Sequence, residues 1–129
     1  MPVIGNHMSR DLLTAAAEDA LAEAARRMVA RGVGAVVVMD AGGLAGILTE
    51  RDVLKAVADG SVAEDRVGDR MTRHPDTIDA GDATGQAAAL MIHGGFRHLP
   101  VCEGGEVVGI VSIRDLMRVV LEDSAPRGA

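Results

Sequence analysis

The chain has 129 residues, a formal net charge of −6 and 48% apolar residues, which is typical of one globular domain or of two small halves that share a core. A single cysteine excludes an intrachain disulfide, and the absence of a dense Lys/Arg run, with Phe96 as the only aromatic residue, argues against a nucleic-acid partner. No apolar run approaches the roughly 20 residues of a membrane span and no secretory signal is visible, so we expect a cytoplasmic protein without a membrane partner.

Five elements are predicted in the first half of the chain. The pattern of apolar residues and turn signals predicts strand, helix, strand, strand and helix at residues 13–15, 20–30, 33–39, 44–48 and 49–58. Gly32 is expected to end the first helix, and Gly42-Gly43 to form the turn between the strands. The segment 59–65 that follows is expected to be a linker.

The second half repeats this order of elements. An extended piece around Ile78, a helix, two strands and a last helix are predicted at residues 76–78, 83–93, 97–102, 107–111 and from Ser112 onward. Asp82 is the expected N-cap of the first of these helices, which Gly94-Gly95 ends.

The two halves are copies of one sequence unit. When the chain is placed against itself at an offset of 63 residues without gaps, Gly5 falls on Gly68, Met8 on Met71 and Arg51-Asp52 on Arg114-Asp115. We therefore predict an α+β (α/β) fold of two β-α-β-β-α repeats that pack with pseudo-twofold symmetry into one module. The expected boundaries are repeat 1 at 3–58, linker at 59–65, repeat 2 at 66–122 and tail at 123–129.

One segment conflicts with its local propensity. Residues 12–30 are rich in alanine and read as one continuous helix. The second copy, however, has Pro75 opposite Leu12 and Gly81 opposite Glu18, so it cannot be helical throughout. The repeat therefore favours an extended conformation for residues 13–15.

The last helix of each repeat begins with a hydroxyl residue followed three positions later by an aspartate. These are Thr49 with Asp52 and Ser112 with Asp115. A helix N-terminus attracts phosphate, and a carboxylate one turn later can contact the adjacent sugar diol. The same spacing is also that of a capping box, so capping and ligand binding both stay open.

These residues resemble the CBS domain pair, also called the Bateman module. The similarity spans residues 3–122 and rests on the doubled Met-[Ser/Thr]-Arg and on Gly-Ile-[Leu/Val]-[Thr/Ser]-x-Arg-Asp, at residues 46–52 and 109–115. It implies a stand-alone regulatory module, not an enzyme, without an obligatory cofactor. Its ligand is expected to be an adenine nucleotide (AMP, ADP or ATP), S-adenosylmethionine or NAD, bound in the cleft between the repeats, and its partner is an unknown regulated protein.

The resemblance also implies roles for single residues. It implies ribose binding by Asp115 and Asp52, and contacts on the phosphate side by Ser112, Thr49, Arg114 and Arg51. The adenine pocket would be formed by Thr77, Ile78, His98, Leu99, Pro100, Ala15, Val36 and Val37. The first repeat departs from the family with Val37 in place of Pro100 and Ala15 in place of Ile78, and Arg97, His98 and Arg114 lie near the second site. The second site is therefore the better candidate for an anionic ligand.

Other functions remain as alternatives. The doubled motif can be a pair of helix caps in a ligand-free interaction scaffold, and the apolar stripes of the helices that begin at Thr49 and Ser112 predict a homodimer. His93, His98 and Cys102 straddle a helix end, a turn and a strand without a fourth ligand, which argues against metal. Arg51, Lys55 and Arg118 are expected on a solvated helix face.

Overall fold

The computed structural model describes residues 1–123, so the predicted tail lies outside the described residues except for its first position, Asp123. The fold is α+β, as predicted, and the chain divides into two compact units. The first-repeat unit comprises Leu12–Pro75. The second-repeat unit combines Met1–Asp11 with the chain from Asp76 onward.

The first-repeat unit contains the predicted strand-helix-strand-strand-helix order and two further short elements. In chain order they are β1 (Thr14–Ala15), α1 (Leu21–Arg31), β2 (Ala35–Asp40), β3 (Gly43–Thr49), α2 (Glu50–Asp59), α3 (Val67–Arg70) and β4 (Thr72–Arg73). The strands form one sheet in the order β1-β2-β3-β4, in which β1 is parallel to β2 and the other pairs are antiparallel.

The second-repeat unit begins with a single 3-10 turn at Ile4–Asn6 and otherwise has the same order of elements. They are β5 (Ile78–Asp79), α4 (Thr84–Gly94), β6 (His98–Glu103), β7 (Glu106–Ser112) and α5 (Ile113–Asp123). The sheet order is β5-β6-β7, with β5 parallel to β6 and β7 antiparallel to it.

The segment that leads each sequence repeat belongs to the compact unit of the other repeat. Gly5 donates its N–H to the carbonyl of Ala80 at 2.8 Å, and Gly68 makes the equivalent 2.8 Å bond to Ala17. Residues 1–11 therefore complete the second-repeat unit, although they precede the first repeat in the sequence. The predicted repeat boundaries follow the duplication in the sequence. The compact units have other boundaries because the leading segments are exchanged, so the repeat boundaries stay a prediction.

The sequence signals for helix ends and for the first strand are confirmed. Gly32 and Gly95 cap the C-termini of α1 and α4 with φ of 65° and 72°, a left-handed conformation that glycine adopts without strain. Thr14 and Ala15 are extended despite the helix-forming composition around them, because β1 pairs with β2.

The predicted N-cap of α4 is wrong. Ala83, not Asp82, occupies the N-cap position, and the Asp82 Oδ2 instead accepts the N–H of Asp79 at 3.1 Å. Asp19 bonds the N–H of Ala16 at 2.9 Å in the same way. Both aspartates thus close the turn between strand and helix, a local hydrogen bond that competes with capping.

Each unit has its own hydrophobic core between its sheet and its two longer helices. The core of the first-repeat unit includes Leu21, Val36 and Leu48, and that of the second-repeat unit includes Leu99 and Val111. Alternate residues of the central strands enter these cores, as the period of a β-strand requires.

The segment predicted as a linker is held by Arg70. Its guanidinium donates to Asp65 at 2.7 Å, to Asp59 at 2.8 Å and to the hydroxyl of Ser61 at 2.6 Å. The Ser61 hydroxyl also donates to Asp65 at 2.6 Å. The hydrogen bond from Ser61 and then that from Arg70 lower the pKa of Asp65, while the bonds to Asp59 and Asp65 raise the pKa of Arg70.

Candidate functional site

The predicted site residues of the second repeat lie toward one end of the sheet in the second-repeat unit. His98, the first residue of β6, is paired with Ser112, the last residue of β7. β5 runs parallel to β6, so Thr77, which directly precedes β5, lies toward the same end. The N–H of Ile113 donates to the carbonyl of Arg97 at 2.9 Å. The start of α5 therefore lies beside the start of β6 and the end of β7.

Asp115 lies in the first turn of α5 and faces the start of that helix. Its Oδ2 accepts the N–H of Ser112 at 2.8 Å and the Ser112 hydroxyl at 3.0 Å. The Asp115 N–H in turn donates to Ser112 Oγ at 3.2 Å. This is a reciprocal capping box, so the capping interpretation of the spacing is confirmed. The side chain of Asp115 keeps 16% exposure.

Arg118 contacts the other oxygen of this carboxylate. Its Nη1 donates to Asp115 Oδ1 at 3.0 Å, and its side chain is 62% exposed. Arg118 thus lies on a solvated helix face, as predicted, and in addition pairs with Asp115. The spacing of three residues on one helix is the signal that could have found this pair.

Thr49 and Asp52 repeat the cap in the first-repeat unit. The N–H and the hydroxyl of Thr49 donate to Asp52 Oδ2 at 2.8 and 3.1 Å. Thr49 is paired with Ala35 across β2 and β3, and the N–H of Glu50 donates to the carbonyl of Gly34 at 3.0 Å. The two predicted sites thus share their backbone framework.

The arginines next to the two acids are exposed. Arg51 directly precedes Asp52, and Arg114 directly precedes Asp115. Both lie near a helix N-terminus on the surface, which places them where a ligand's phosphate could approach.

Several predicted adenine-pocket residues direct their side chains into a core. Leu99 is fully buried there, whereas its neighbours His98 and Pro100 lie on the opposite face of β6 because side chains alternate along a strand. The other residues whose side chains join a core are Val36, Ala15 and Ile78. Only the backbone of these four residues remains for contact with a ligand, and the pocket stays a prediction.

Pro100 changes the pairing of the second-repeat sheet. In the first-repeat unit, Val37 donates its N–H to the carbonyl of Leu13 at 2.9 Å, and Thr14 is paired with Val37. Pro100 has no N–H to donate. The pairing of β5 with β6 therefore begins at Ile78, one residue later than the equivalent pairing of β1 with β2. Thr77 therefore lies outside the strand, and the carbonyl that precedes it does not receive this bond.

A shallow depression of about 330 Å³ lies beside β5 and α4. It is lined by Thr77, Ile78, Asp82, Gln86, Ala89, Leu90 and His93. It shares Thr77 and Ile78 with the predicted adenine pocket, but it contains neither Ser112 nor Asp115. The carboxylate chemistry of the predicted site is therefore not in this depression.

Neither a metal cluster nor a membrane-spanning helix is found among residues 1–123. No group of three His, Cys, Asp or Glu side chains among them is arranged to hold a metal ion. Within the same residues, every helix is too short or too polar to cross a membrane.

Comparison with known proteins gives the same family for both repeats. The CBS domain family matches residues 4–59 and again residues 67–122. A 17.7 kDa protein of Acidianus ambivalens is 38% identical over 104 residues, which cover 79% of this chain and 63% of that protein. The chain spans less than two thirds of the length of this and the other leading curated relatives.

Solved structures share the fold. The CBS-domain protein ATU1752 of Agrobacterium tumefaciens is 38% identical with a TM-score of 0.81, over 86% of this chain and 90% of that one. The CBS domain pair of protein MJ0100, solved with 5′-methylthioadenosine and S-adenosyl-L-methionine, is 25% identical with a TM-score of 0.89, over 96% and 99% of the two chains.

Proposed function

The chain belongs to the CBS domain family, and from that premise we propose that it is a regulatory module that binds an adenosine-containing ligand and signals its occupancy to a partner protein. The primary site is the start of α5 in the second-repeat unit. Asp115 binds the ribose hydroxyls there. Ser112 and Arg114 lie on the phosphate side.

The observation that carries this proposal is the position of the Asp115 carboxylate. One of its oxygens is fixed by the cap, and the other accepts a hydrogen bond from the exposed side chain of Arg118. A fixed carboxylate with an oxygen that can exchange its partner suits a sugar diol, because both hydroxyls donate to such an acceptor. The partial positive charge at the start of α5 favours a neighbouring phosphate.

The adenine side of the site is supported by Pro100. Because the carbonyl of Asp76 does not receive the strand bond that Leu13 accepts from Val37, it is available to an adenine amino group. His98 and Pro100 lie on one face of β6, where Pro100 is fully buried and His98 is partly exposed. The adenosyl ligands of MJ0100 support the same class of ligand. In the first-repeat unit Val37 retains the strand bond, which is why we propose the second site as the primary one.

Isothermal titration with AMP, ADP, ATP, S-adenosylmethionine and 5′-methylthioadenosine tests the proposal on the full chain. We expect at least one of them to bind, and Asp115→Asn to weaken that binding about tenfold or more because the diol loses a charged acceptor. A ligand at about 100 times its Kd should also stabilise the folded chain by about 2.7 kcal/mol. Glu103→Gln, an exposed acid at the other end of β6, is the matched control for the lost charge.

The outcome separates binding from capping. If Asp115 only caps α5, Asp115→Asn lowers the melting temperature without ligand and leaves the Kd of every ligand unchanged. That result, or the absence of binding by all five compounds, contradicts the proposal.

A second candidate function, a homodimeric interaction scaffold, is favoured by the exposed apolar side chains of α2 and α5. Their exposure lies between 54% and 67% for Leu54, Val57, Met117, Val120 and Leu121. Burying such side chains would favour self-association. We propose a homodimer through these helices. Light scattering should give twice the chain mass for the wild type and the monomer mass for Leu121→Glu, with Val29→Glu on α1 as the control.

A further inference from the structure

The carboxylates of Asp115 and Asp52 differ in one contact. In both, Oδ2 accepts two hydrogen bonds from the cap residue. The Oδ1 of Asp115 also accepts a bond from Arg118 at 3.0 Å. Lys55 occupies the position equivalent to Arg118 in α2, and within residues 1–123 it forms no ion pair with Asp52.

The contact between Arg118 and Asp115 changes which acceptor positions of the carboxylate are open to a sugar diol. A carboxylate offers about four acceptor positions, two on each oxygen. The cap fills both positions on Oδ2, so a diol that donates two hydrogen bonds needs both positions on Oδ1. At Asp52 these positions are not taken by Lys55, whereas at Asp115 one of them is taken by Arg118. Full binding of a diol to Asp115 therefore displaces the guanidinium.

The displaced guanidinium of Arg118 finds a new charged hydrogen-bond partner only if the ligand is anionic. Arg118 is 62% exposed, so its ion pair is screened and its release is not prohibitive. A phosphate group offers the guanidinium a charge-assisted, bidentate partner in place of the carboxylate, and an uncharged 5′ group offers none.

We propose that Arg118 is a specificity-determining residue that makes the second-repeat site prefer adenosine ligands with a 5′-phosphate over those without one. This inference rests on the proposed function, because it requires the ribose at Asp115. The site of the first-repeat unit has Lys55 in place of Arg118. We therefore expect no preference for a 5′-phosphate from this position there.

The test compares AMP with adenosine by isothermal titration in full-length Asp52→Asn, so that the second-repeat site alone is measured. Arg118→Gln in this background should reduce the ratio of AMP affinity to adenosine affinity about tenfold. AMP should bind more weakly and adenosine no more weakly than before. Arg118→Lys, which keeps the charge without the planar fork, should recover part of the preference. Lys55→Gln is the matched control and should leave the ratio unchanged.

Each result has a defined meaning. If Arg118→Gln leaves the ratio unchanged while Asp115→Asn abolishes binding of both ligands, the inference is overturned and the proposed function stands. If neither ligand responds to Asp115→Asn, the proposed function fails, and the inference with it. A merely structural role for Arg118 would weaken both ligands equally, which also overturns the inference.

Discussion

The two compact units share their backbone framework and differ at a few polar positions. The 2.8 Å bond from Gly5 to Ala80 has its copy between Gly68 and Ala17. The capping bonds of Thr49 with Asp52 recur in Ser112 with Asp115, and a left-handed glycine ends the first long helix of each unit. The duplication has therefore preserved the positions that build and terminate the elements.

The differences lie beside the candidate sites and at the joining segment. Pro100 replaces Val37, Arg118 replaces Lys55, and His7 stands where the other unit has Arg70. Pro100 and Arg118 each change one hydrogen bond, and Arg70 makes three, without altering the order of the longer elements. A common scaffold thus allows the two sites to have different ligand preferences, and the framework alone does not identify the ligand of either.

The largest expected effect on stability comes from the strand glycine that each unit packs against its leading segment. A Cβ at Gly46 would lie 2.6 Å from the carbonyl of Thr72, and one at Gly109 would lie 2.7 Å from the carbonyl of Ser9. Gly46→Ala and Gly109→Ala should therefore each lower the free energy of unfolding by about 1–3 kcal/mol, measured by urea denaturation, because the leading segment must move away from the sheet.

Gly85→Ala provides the control for this pair. A Cβ at Gly85 meets no atom within 4 Å, and the residue lies inside α4, so alanine should stabilise the chain by up to about 1 kcal/mol. If only one of the two strand glycines proved sensitive, the exchanged segments would not be equivalent in the two units.

The fold was largely predictable because the sequence supplies two copies of each signal. Local propensity alone would make residues 12–30 one helix, and Pro75 in the second copy corrects this to an extended strand. The exchange of the leading segments was not predicted, since both segments carry a glycine and a methionine at equivalent positions, Gly5 with Met8 and Gly68 with Met71. These repeated residues do not by themselves specify which sheet each segment joins.

The geometry of the two carboxylates could be predicted from the sequence, whereas the pocket residues around them could be predicted only in part. The spacing of Ser112 and Asp115 fixes their mutual geometry, because a cap constrains both side chains. The pocket residues taken from a contiguous run, such as Leu99 beside His98, ignore the alternation of a strand, which sends Leu99 into the core. The exposed position of Arg118 was predicted, but its pair with Asp115 was not, since exposure alone does not distinguish a paired from an unpaired cation.

A smaller effect is expected from exchanging the residues at positions 37 and 100. Val37→Pro removes the N–H that bonds Leu13, which leaves a carbonyl unsatisfied in a buried strand, so we expect a loss of about 1–2 kcal/mol in unfolding free energy. Pro100→Val restores the donor but increases the freedom of the unfolded chain, and the two effects should cancel to within about 1 kcal/mol. Equal losses of unfolding free energy in Val37→Pro and Pro100→Val would contradict the interpretation that the second-repeat sheet accommodates a proline at position 100.

The smallest effect concerns the ion network of Asp59, Ser61, Asp65 and Arg70 in the first-repeat unit. The bonds from Ser61 and Arg70 lower the pKa of Asp65 below its ordinary value of 3.8, so the unfolded chain binds this proton more readily than the folded one. The resulting stabilisation is fully present above the ordinary pKa and is lost as the pH falls through the lowered pKa of the folded state. The melting temperatures of wild type and Asp65→Asn should therefore differ most near about pH 7 and converge as the pH falls below about 3.8. A difference for Asp65→Asn that stays constant with pH would contradict the role of the network.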